Sequence, residues 1–175
     1  MAFLNPENIV KQLPLESGMT VADLGAGTGS YSIPIAKRVA PGKVYAVEVV
    51  KDLVNSIKDA ARKEGLSNVE IIWGDIESPG GTKLADGSVN LVVMSNVLFQ
   101  VESKEGLLVE AKRILKPRGH VLVIDWKASF GGTGPRESEV ISPDTAKKMF
   151  LNSGFDLLAE INADEYHYGF LFKKF

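Results

Sequence analysis

The stretch Val21-Ala22-Asp23-Leu24-Gly25-Ala26-Gly27-Thr28-Gly29 decides the fold of this chain. Its apolar beginning predicts a short strand, its glycines predict a tight turn, and residues 30–39 behind it predict a helix. A strand, a glycine turn and a helix N-terminus together let the backbone approach a nucleotide-like ligand closely. This stretch therefore predicts an α/β protein with a ligand site at the end of its first strand.

Two details of the turn indicate which ligand it takes. The dinucleotide fingerprint G-x-G-x-x-G/A has a small apolar residue last, and Ser30 stands there instead. Asp23 precedes the first glycine by two residues, where a carboxylate repels a pyrophosphate and attracts a cation. At an effective dielectric constant of about 20, two charges ~4 Å apart interact by roughly 4 kcal/mol. The turn thus favours S-adenosylmethionine, which carries a sulfonium and an ammonium group, over NAD or ATP, which carry phosphates.

The motif Asp23-Leu24-Gly25-Ala26-Gly27-Thr28-Gly29 resembles the first motif of class I S-adenosylmethionine-dependent methyltransferases. Four later segments are similar to this family in the expected order, over nearly the whole chain. They are Val44-Tyr45-Ala46-Val47-Glu48, Val69-Glu70-Ile71-Ile72-Trp73-Gly74-Asp75-Ile76, the segment 89–98 and the segment 114–123. Any one of these matches is weak evidence, but five in register make the resemblance specific.

Strand-like and helix-like segments alternate along the chain, which favours a parallel sheet with helices on both faces. The resemblance implies a three-layer α/β/α sandwich with a mainly parallel seven-stranded sheet in the order 3-2-1-4-5-7-6, its last strand antiparallel. Residues 1–175 are expected to form a single domain.

The element boundaries follow from capping signals and periodicity. Asn5 and Pro6 predict a first helix to about residue 13, and Ser142 and Pro143 predict a late helix to about residue 153. The other predicted elements are strands at 20–24, 69–73 and 120–124, helices at 51–63 and 104–115, a turn at 116–119, and a terminal hairpin of 155–161 with 166–173. Residues 128–139 are too rich in glycine for regular structure, and a loop of this length is either functional or disordered.

The resemblance also implies which residues bind S-adenosylmethionine and release S-adenosylhomocysteine as the product. Asp23 would face the methionine moiety, Glu48 the two ribose hydroxyls and Asp75 the adenine amino group, while Ile76 would pack on the adenine ring. Structural alternatives remain for these residues. Asp23 could cap nearby backbone amides, Glu48 could be a solvated acid at the end of a strand, Asp75 could simply form a turn, and Tyr31 could face solvent instead of closing over the cofactor. The complete predicted set is Asp23, Gly25, Ala26, Gly27, Gly29, Tyr31, Glu48, Val49, Asp75, Ile76, Ser95 and Asn96.

The methyl acceptor is the least determined part of the prediction. A small molecule is expected, while a protein side chain or RNA stays open, and DNA is disfavoured because no Asn-Pro-Pro-Tyr or Asp-Pro-Pro-Tyr run follows the fourth strand. Phe99 stands where related proteins often carry a histidine. The edge formed by Trp126, residues 128–139 and Tyr166-His167-Tyr168 is the predicted acceptor entrance, with His167 as the candidate proton acceptor.

Two other classes of function compete with methyl transfer. One is a non-catalytic S-adenosylmethionine-binding or partner subunit, and the other is an NAD-dependent oxidoreductase, which Asp23 and Ser30 disfavour. Methyl transfer by in-line displacement needs positioning and desolvation but neither a metal nor a covalent intermediate.

The composition bounds the remaining possibilities. The formal net charge is −2, which argues against a dedicated nucleic-acid surface, and no cysteine is present for disulfides, thiolate metal sites or thiol catalysis. No apolar run approaches the ~20 residues that span a bilayer, and the first seven residues lack the features of a signal peptide. A soluble, cytoplasmic protein without membrane partners is expected.

Overall fold

A computed structural model describes residues 4–175. The prediction about a signal peptide falls partly on residues 1–3, which lie outside the described part. Strands and helices alternate up to residue 126, except that the strands at 69–73 and 89–95 follow each other directly, and the chain ends in a hairpin. In chain order the elements are α1 (Pro6–Val10), β1 (Val21–Leu24), α2 (Ser32–Val39), β2 (Val44–Glu48), α3 (Lys51–Lys63), β3 (Val69–Trp73), β4 (Val89–Ser95), α4 (Lys104–Ile114), β5 (Leu115–Trp126), α5 (Pro143–Asn152), β6 (Phe155–Glu160) and β7 (His167–Lys174).

The strands form a seven-stranded sheet in the order β3-β2-β1-β4-β5-β7-β6. The pairs from β3 to β5 are parallel, whereas β7 runs antiparallel to both β5 and β6. The predicted order and the antiparallel last strand are confirmed. The carboxyl ends of β1, β2, β4 and β5 and the beginning of β7 consequently meet at one edge of the sheet.

Strand side chains alternate between two apolar layers. In β5, Leu122 and Ile124 pack with α1 and α2, while Val121 and Val123 pack with α4 and α5. Helix α3 covers the same face as α2, where its Ile57 meets Ala46 of β2. The sheet is therefore the middle of three layers, as predicted.

Helices α1 and α5 begin at the predicted caps Asn5 and Ser142, and α4 begins after Ser103, a cap that was not predicted. Asn5, Ser103 and Ser142 each accept a hydrogen bond from a backbone amide three residues on, which satisfies one amide that the first turn leaves free. Helix α1 is shorter than predicted and ends at Val10. Helix α2 begins at Ser32, two residues later than predicted, because the glycine turn continues to residue 31.

Two segments differ from their predicted conformation. Strand β5 begins at Leu115, and the predicted turn 116–119 is instead an irregularity within it, with Arg118 at φ +63°. The loop 128–139 is more ordered than its composition indicates, because Phe130 and Thr133 form a bridge and Glu137–Glu139 is a 3₁₀ turn. No helix within residues 4–175 has the length and apolar character needed to cross a membrane.

Candidate cofactor and acceptor site

The glycine turn lies directly after β1 and is held to β2 by the amides of Gly25 and Ala26, which donate to the carbonyl of Val47. Gly25 and Gly27 have φ angles of +72° and +58°, which L side chains rarely adopt. A Cβ on Gly25 would lie 2.8 Å from Cγ2 of Val97, whereas a Cβ on Gly27 would meet no atom within 4 Å. The turn thus packs tightly on one side and leaves open space at Gly27.

Two clefts meet at this turn. The β2–β3 cleft has a volume of about 490 Å³, and the β1–β4 cleft has a volume of about 380 Å³. Gly25, Gly27 and Gln100 line both clefts, so the two form one continuous groove over the turn. All the predicted cofactor residues except Gly29 line this groove: Glu48, Val49, Asp75 and Ile76 in the β2–β3 cleft, Asp23, Ala26, Tyr31, Ser95 and Asn96 in the β1–β4 cleft, and Gly25 and Gly27 in both.

Glu48 ends β2 and is only 6% exposed. Its Oε2 accepts a hydrogen bond from the amide of Gly27 at 2.8 Å, and its Oε1 accepts from the amides of Val49 and Val50 at 2.9 and 3.0 Å. The carboxylate therefore joins the glycine turn to the beginning of α3. Oε1 already accepts two hydrogen bonds, whereas Oε2 accepts one and keeps a lone pair for a further donor.

Asp23 lies in the β1–β4 cleft and is 3% exposed. The Ser32 hydroxyl donates to its Oδ2 at 2.6 Å. Burial raises the pKa of Asp23 to about 6, although the hydrogen bonds from Ser32 counteract the shift, and the charge of Glu48 adds to it. A buried carboxylate with so few donors is stabilised by any cation that enters the cleft.

Asp75 is exposed, and its own turn occupies both of its carboxylate oxygens. The Ser78 hydroxyl donates to Oδ2 at 2.6 Å and the Glu77 amide donates to Oδ1 at 2.9 Å, which lowers the pKa of Asp75. The turn-forming alternative for this residue is thus present in the structure. Asp75 still lines the cleft beside Ile76, so a ligand would add to these contacts.

Glu110 of α4 anchors the segment that follows this turn, and the sequence analysis did not identify it. It is fully buried and accepts hydrogen bonds from the amides of Gly80 and Thr82, the Thr82 hydroxyl and the guanidinium of Arg113. Burial alone would raise the pKa of Glu110, but these donors outweigh it and hold the pKa at about 2. Two polar residues one helical turn apart, Glu110 and Arg113, were the available signal.

Tyr31 and Asn96 contribute polar atoms without partners. Tyr31 is 6% exposed, and neither its hydroxyl nor Oδ1 of Asn96 has a hydrogen-bond partner among residues 4–175. Tyr31 does not face solvent, so that alternative is wrong. Because a buried polar atom without a partner is costly, these two atoms indicate a polar ligand in the β1–β4 cleft.

Other groove residues were not identified from the sequence. Val97 and Gln100 lie in the loop after β4, and Leu4 and Pro6 bring the N-terminal segment against the β1–β4 cleft. Asp125 anchors the loop after β4, because its Oδ2 accepts a hydrogen bond from the Leu98 amide at 2.9 Å. Gly29 packs against Ile57 of α3 and does not line the groove.

The predicted acceptor entrance is also assembled at this edge. Trp126 ends β5 and pairs with His167, the first residue of β7, and their ring centroids are 4.1 Å apart. Phe130 of the loop 128–139 lies 4.9 Å from the Tyr166 ring. Residues from three separate parts of the chain therefore converge beside the groove.

Comparisons with known proteins agree with this geometry. The family model described as "Methyltransferase domain" matches residues 15–165. The crystal structure of a SAM-dependent methyltransferase from Aquifex aeolicus superposes with a TM-score of 0.89 at 29% identity, covering 99% of this chain and 91% of that one.

Curated relatives carry methyltransferase names. An arsenite methyltransferase of Halobacterium salinarum is 31% identical over 69% of this chain, which spans only 30% of that protein's length. The ubiquinone/menaquinone biosynthesis C-methyltransferase UbiE of Hydrogenovibrio crunogenus is 27% identical, covering 86% of this chain and 71% of that protein. The glycine turn, the strand order and the family match lead to one conclusion: this chain belongs to the class I S-adenosylmethionine-dependent methyltransferase family.

Proposed function

We propose that the groove binds S-adenosylmethionine and that the protein transfers its methyl group to a small molecule at the sheet edge beside Trp126. The observation that carries the proposal is the continuity of the two clefts over Gly25 and Gly27. One ligand with a nucleoside at one end and a charged amino acid at the other fits a groove of this shape.

The residues present fit this cofactor. Open space at Gly27 admits a ligand against the backbone, and the carboxylates of Glu48 and Asp23 lie in the two different clefts that meet there. The unpartnered atoms of Tyr31 and Asn96 lie in the same cleft as Asp23. This distribution supports a ribose at Glu48, an adenine between Asp75 and Ile76, and a cationic amino-acid moiety at Asp23.

When bound, the cofactor supplies a methyl group activated by the positive charge of its sulfonium. The chain's own contribution is to bind and orient both reactants and to exclude water. Glu48 would fix the ribose and Asp23 the amino-acid end of the ligand, while the loop that contains Val97 borders the groove from the side of β4. Positioning of this kind contributes on the order of 7–11 kcal/mol to a two-substrate reaction.

Calorimetric titration with S-adenosylmethionine, S-adenosylhomocysteine and NADH tests the binding proposal. We expect both sulfur nucleosides to bind with one site per chain and NADH to bind weakly or not at all. NADH binding without binding of either sulfur nucleoside would overturn it. Release of S-adenosylhomocysteine in a screen of small-molecule, protein and RNA acceptors then tests the acceptor class, and turnover with RNA or protein alone would contradict it.

A further inference from the structure

The loop on the proposed adenine side of the groove, residues 75–82, lies mostly at the surface. Asp75 and Ile76 line the β2–β3 cleft, whereas residues 78–80 are exposed. Ile76 is half-buried and packs against the apolar layer of α4 and α5. Since so much of the loop is exposed, polar contacts do much to fix its position relative to the groove.

Helix α4 makes these contacts with one of its faces. Ser103, Gly106 and Glu110 follow each other at spacings of three and four residues, so they share a face of the helix. The Ser103 amide donates to Oε2 of Glu77 at 2.6 Å. The backbone of Gly106 lies directly against the loop, because a Cβ there would be 2.1 Å from the carbonyl oxygen of Glu77. A larger residue at position 106 would therefore push α4 and the loop apart.

Glu110 makes the third contact of this face, and it is fully buried. Its Oε2 accepts from the Gly80 amide at 2.9 Å, and its Oε1 accepts from the Thr82 amide at 3.2 Å and from the Thr82 hydroxyl at 2.6 Å. Arg113 donates to both oxygens, at 2.9 and 2.7 Å, and neutralises the buried charge. Because a buried carboxylate depends on such partners, they hold Glu110 in one position.

The contact continues from Glu110 to Asp75 through Gly81. The two amides that donate to Glu110 belong to the residues on either side of Gly81. The Gly81 carbonyl accepts a hydrogen bond from the Asp75 amide at 3.2 Å, and a Cβ on Gly81 would be 2.0 Å from the Asp75 carbonyl oxygen. Since the backbones of these two residues are in direct contact, a shift of the segment 80–82 would move Asp75.

The same helix is attached to a second segment of the cleft. Val97 and Val101 line the β2–β3 cleft, and Ser103 caps α4 two residues later. The Val101 amide donates to the Val97 carbonyl at 3.2 Å, which makes this segment a compact turn. Helix α4 therefore joins this turn to the loop 75–82, and both border the cleft in which the adenine is proposed to bind.

We propose that Glu110 is a positioning residue for base recognition, and that Gly106 lets α4 approach closely enough for Glu110 to hold the segment 80–82. By fixing this segment, Glu110 places Asp75 where it selects an adenine nucleoside. This inference rests on the proposed function and adds a determinant of its selectivity. An ionised carboxylate only accepts hydrogen bonds, so Asp75 matches the amino group of adenine. Hypoxanthine has a carbonyl oxygen at that place, which the carboxylate repels.

The test measures affinities for S-adenosylhomocysteine and for S-inosylhomocysteine, which has hypoxanthine in place of adenine, by calorimetric titration of the whole chain. Glu110→Gln keeps one acceptor oxygen but turns an N–H group toward Gly80 or Thr82, so a contact with the loop is lost. Glu105→Gln is the matched control, because Glu105 is an exposed acid in the first turn of the same helix. Thermal melting reports the stability of each variant separately.

We expect the wild-type protein to bind S-adenosylhomocysteine about tenfold or more tightly than S-inosylhomocysteine, the difference that one hydrogen bond to a charged acceptor makes. In Glu110→Gln this preference should fall to about threefold or less, because S-adenosylhomocysteine binds more weakly. Glu105→Gln should keep the wild-type preference. Asp75→Ala should abolish it, and the double variant with Glu110→Gln should lose nothing further, since the two residues act through one contact.

Failure of the two proposals is distinguishable. Absence of S-adenosylhomocysteine binding by the wild-type protein overturns the proposed function. Normal binding of S-adenosylhomocysteine without a preference between the two bases overturns only the role of Glu110. A wild-type preference in Glu110→Gln together with a lower melting temperature would make Glu110 purely structural. A further loss of affinity for S-adenosylhomocysteine in the double variant would show that Glu110 acts independently of Asp75, which also overturns its role.

Gly106→Ala provides a second comparison if Glu110→Gln does not fold. It leaves the buried carboxylate intact and favours the helical conformation at position 106, but its methyl group would overlap the carbonyl of Glu77. The loop must then move away from α4, so the preference for adenine should fall in this variant as well. A wild-type preference in Gly106→Ala would overturn the proposal, because the distance between α4 and the loop would not affect base recognition.

Discussion

At the scale of single residues, the groove carboxylates of Asp23 and Glu48 affect stability and ligand binding in different ways. Asp23 has its charge buried beside one hydroxyl group, whereas Glu48 is surrounded by three backbone amides. An ionised Asp23 therefore destabilises the ligand-free protein and attracts a cationic ligand. Glu48 supports the turn even without a ligand. Substitutions at Asp23 and Glu48 should therefore change the stability of the protein and its affinity for the cofactor in different ways.

Asp23→Asn should stabilise the empty protein at pH 7 and weaken cofactor binding. Because folding raises the pKa of Asp23 from 3.8 to about 6, its contribution to stability is complete below pH 3.8 and is lost as the pH rises through about 6. Two pKa units correspond to about 3 kcal/mol, which is the upper limit of the gain at pH 7. Denaturant unfolding of Asp23→Asn and the wild type at pH 7 and pH 4 measures this difference in the free energy of unfolding.

The gain from Asp23→Asn should shrink at pH 4, where the wild-type carboxyl is protonated in the folded state. The same variant should bind S-adenosylmethionine at least tenfold more weakly, a loss of about 1.4 kcal/mol. Equal stabilities of variant and wild type at both pH values would show that burial of the Asp23 charge has no cost.

Glu48→Ala should weaken both binding and folding. Hydrogen bonds to a charged group contribute roughly 1.5–3 kcal/mol each, so loss of the ribose contacts should lower affinity for S-adenosylhomocysteine more than tenfold. The three amides it serves would lose their acceptor, so the melting temperature should also fall. Glu70→Ala is the control, since Glu70 lies on β3 with its carboxylate on Lys43, outside the groove. Unchanged affinity with a lower melting temperature would make Glu48 purely structural.

At the scale of elements, a comparison of two glycines distinguishes the cost of backbone strain from the loss of a ligand contact at the glycine turn. Gly27 and Gly65 have φ angles of +58° and +66°, and a Cβ at either would meet nothing within 4 Å. Only Gly27 faces the groove, because Gly65 follows the end of α3. The two positions are therefore matched in backbone cost and differ in their place relative to the ligand.

Gly27→Ala and Gly65→Ala should each destabilise the fold by about 1–2 kcal/mol, the cost of a left-handed L-residue. Only Gly27→Ala should weaken binding of S-adenosylhomocysteine, by tenfold or more, because its methyl group projects into the groove. Calorimetry together with thermal melting separates the two effects. Equal binding by both variants would place the ligand away from the turn.

Some elements and contacts could be predicted from the sequence alone, and others could not. Helix α3 and strand β3 have their predicted bounds, because periodicity and Gly65 specify them locally. The role of Asp125 depends on a segment that folds next to it, because the Leu98 amide that donates to its carboxylate lies 27 residues away in the sequence. The contact between Asp164 and His167 could not be predicted from the sequence either. The three-residue spacing alone does not indicate that the hairpin places the His167 ring against Trp126.

At the scale of the whole molecule, one sheet links the cofactor groove to the acceptor edge. Strand β4 pairs with β1 on one side and with β5 on the other, and β5 pairs with β7. The groove residues on β1 and β2 and the acceptor residues on β5 and β7 therefore share one set of backbone hydrogen bonds. This continuity supports the prediction that residues 1–175 unfold as a single domain.

Saturation with S-adenosylhomocysteine should raise the melting temperature of the whole chain in one step. A ligand that binds only the folded state at a hundred times its Kd stabilises it by about 2.7 kcal/mol. For a domain of this size each kcal/mol shifts the melting temperature by about 2–4 °C, so scanning calorimetry should show a shift of about 5–11 °C. NADH at the same concentration should give no comparable shift, and Gly27→Ala should reduce the shift from S-adenosylhomocysteine. Two separate transitions, with only one moved by the ligand, would contradict both the single domain and the coupling of the groove to the acceptor edge, because strands of one sheet cannot melt independently without breaking the β1–β4–β5 hydrogen bonds that join them.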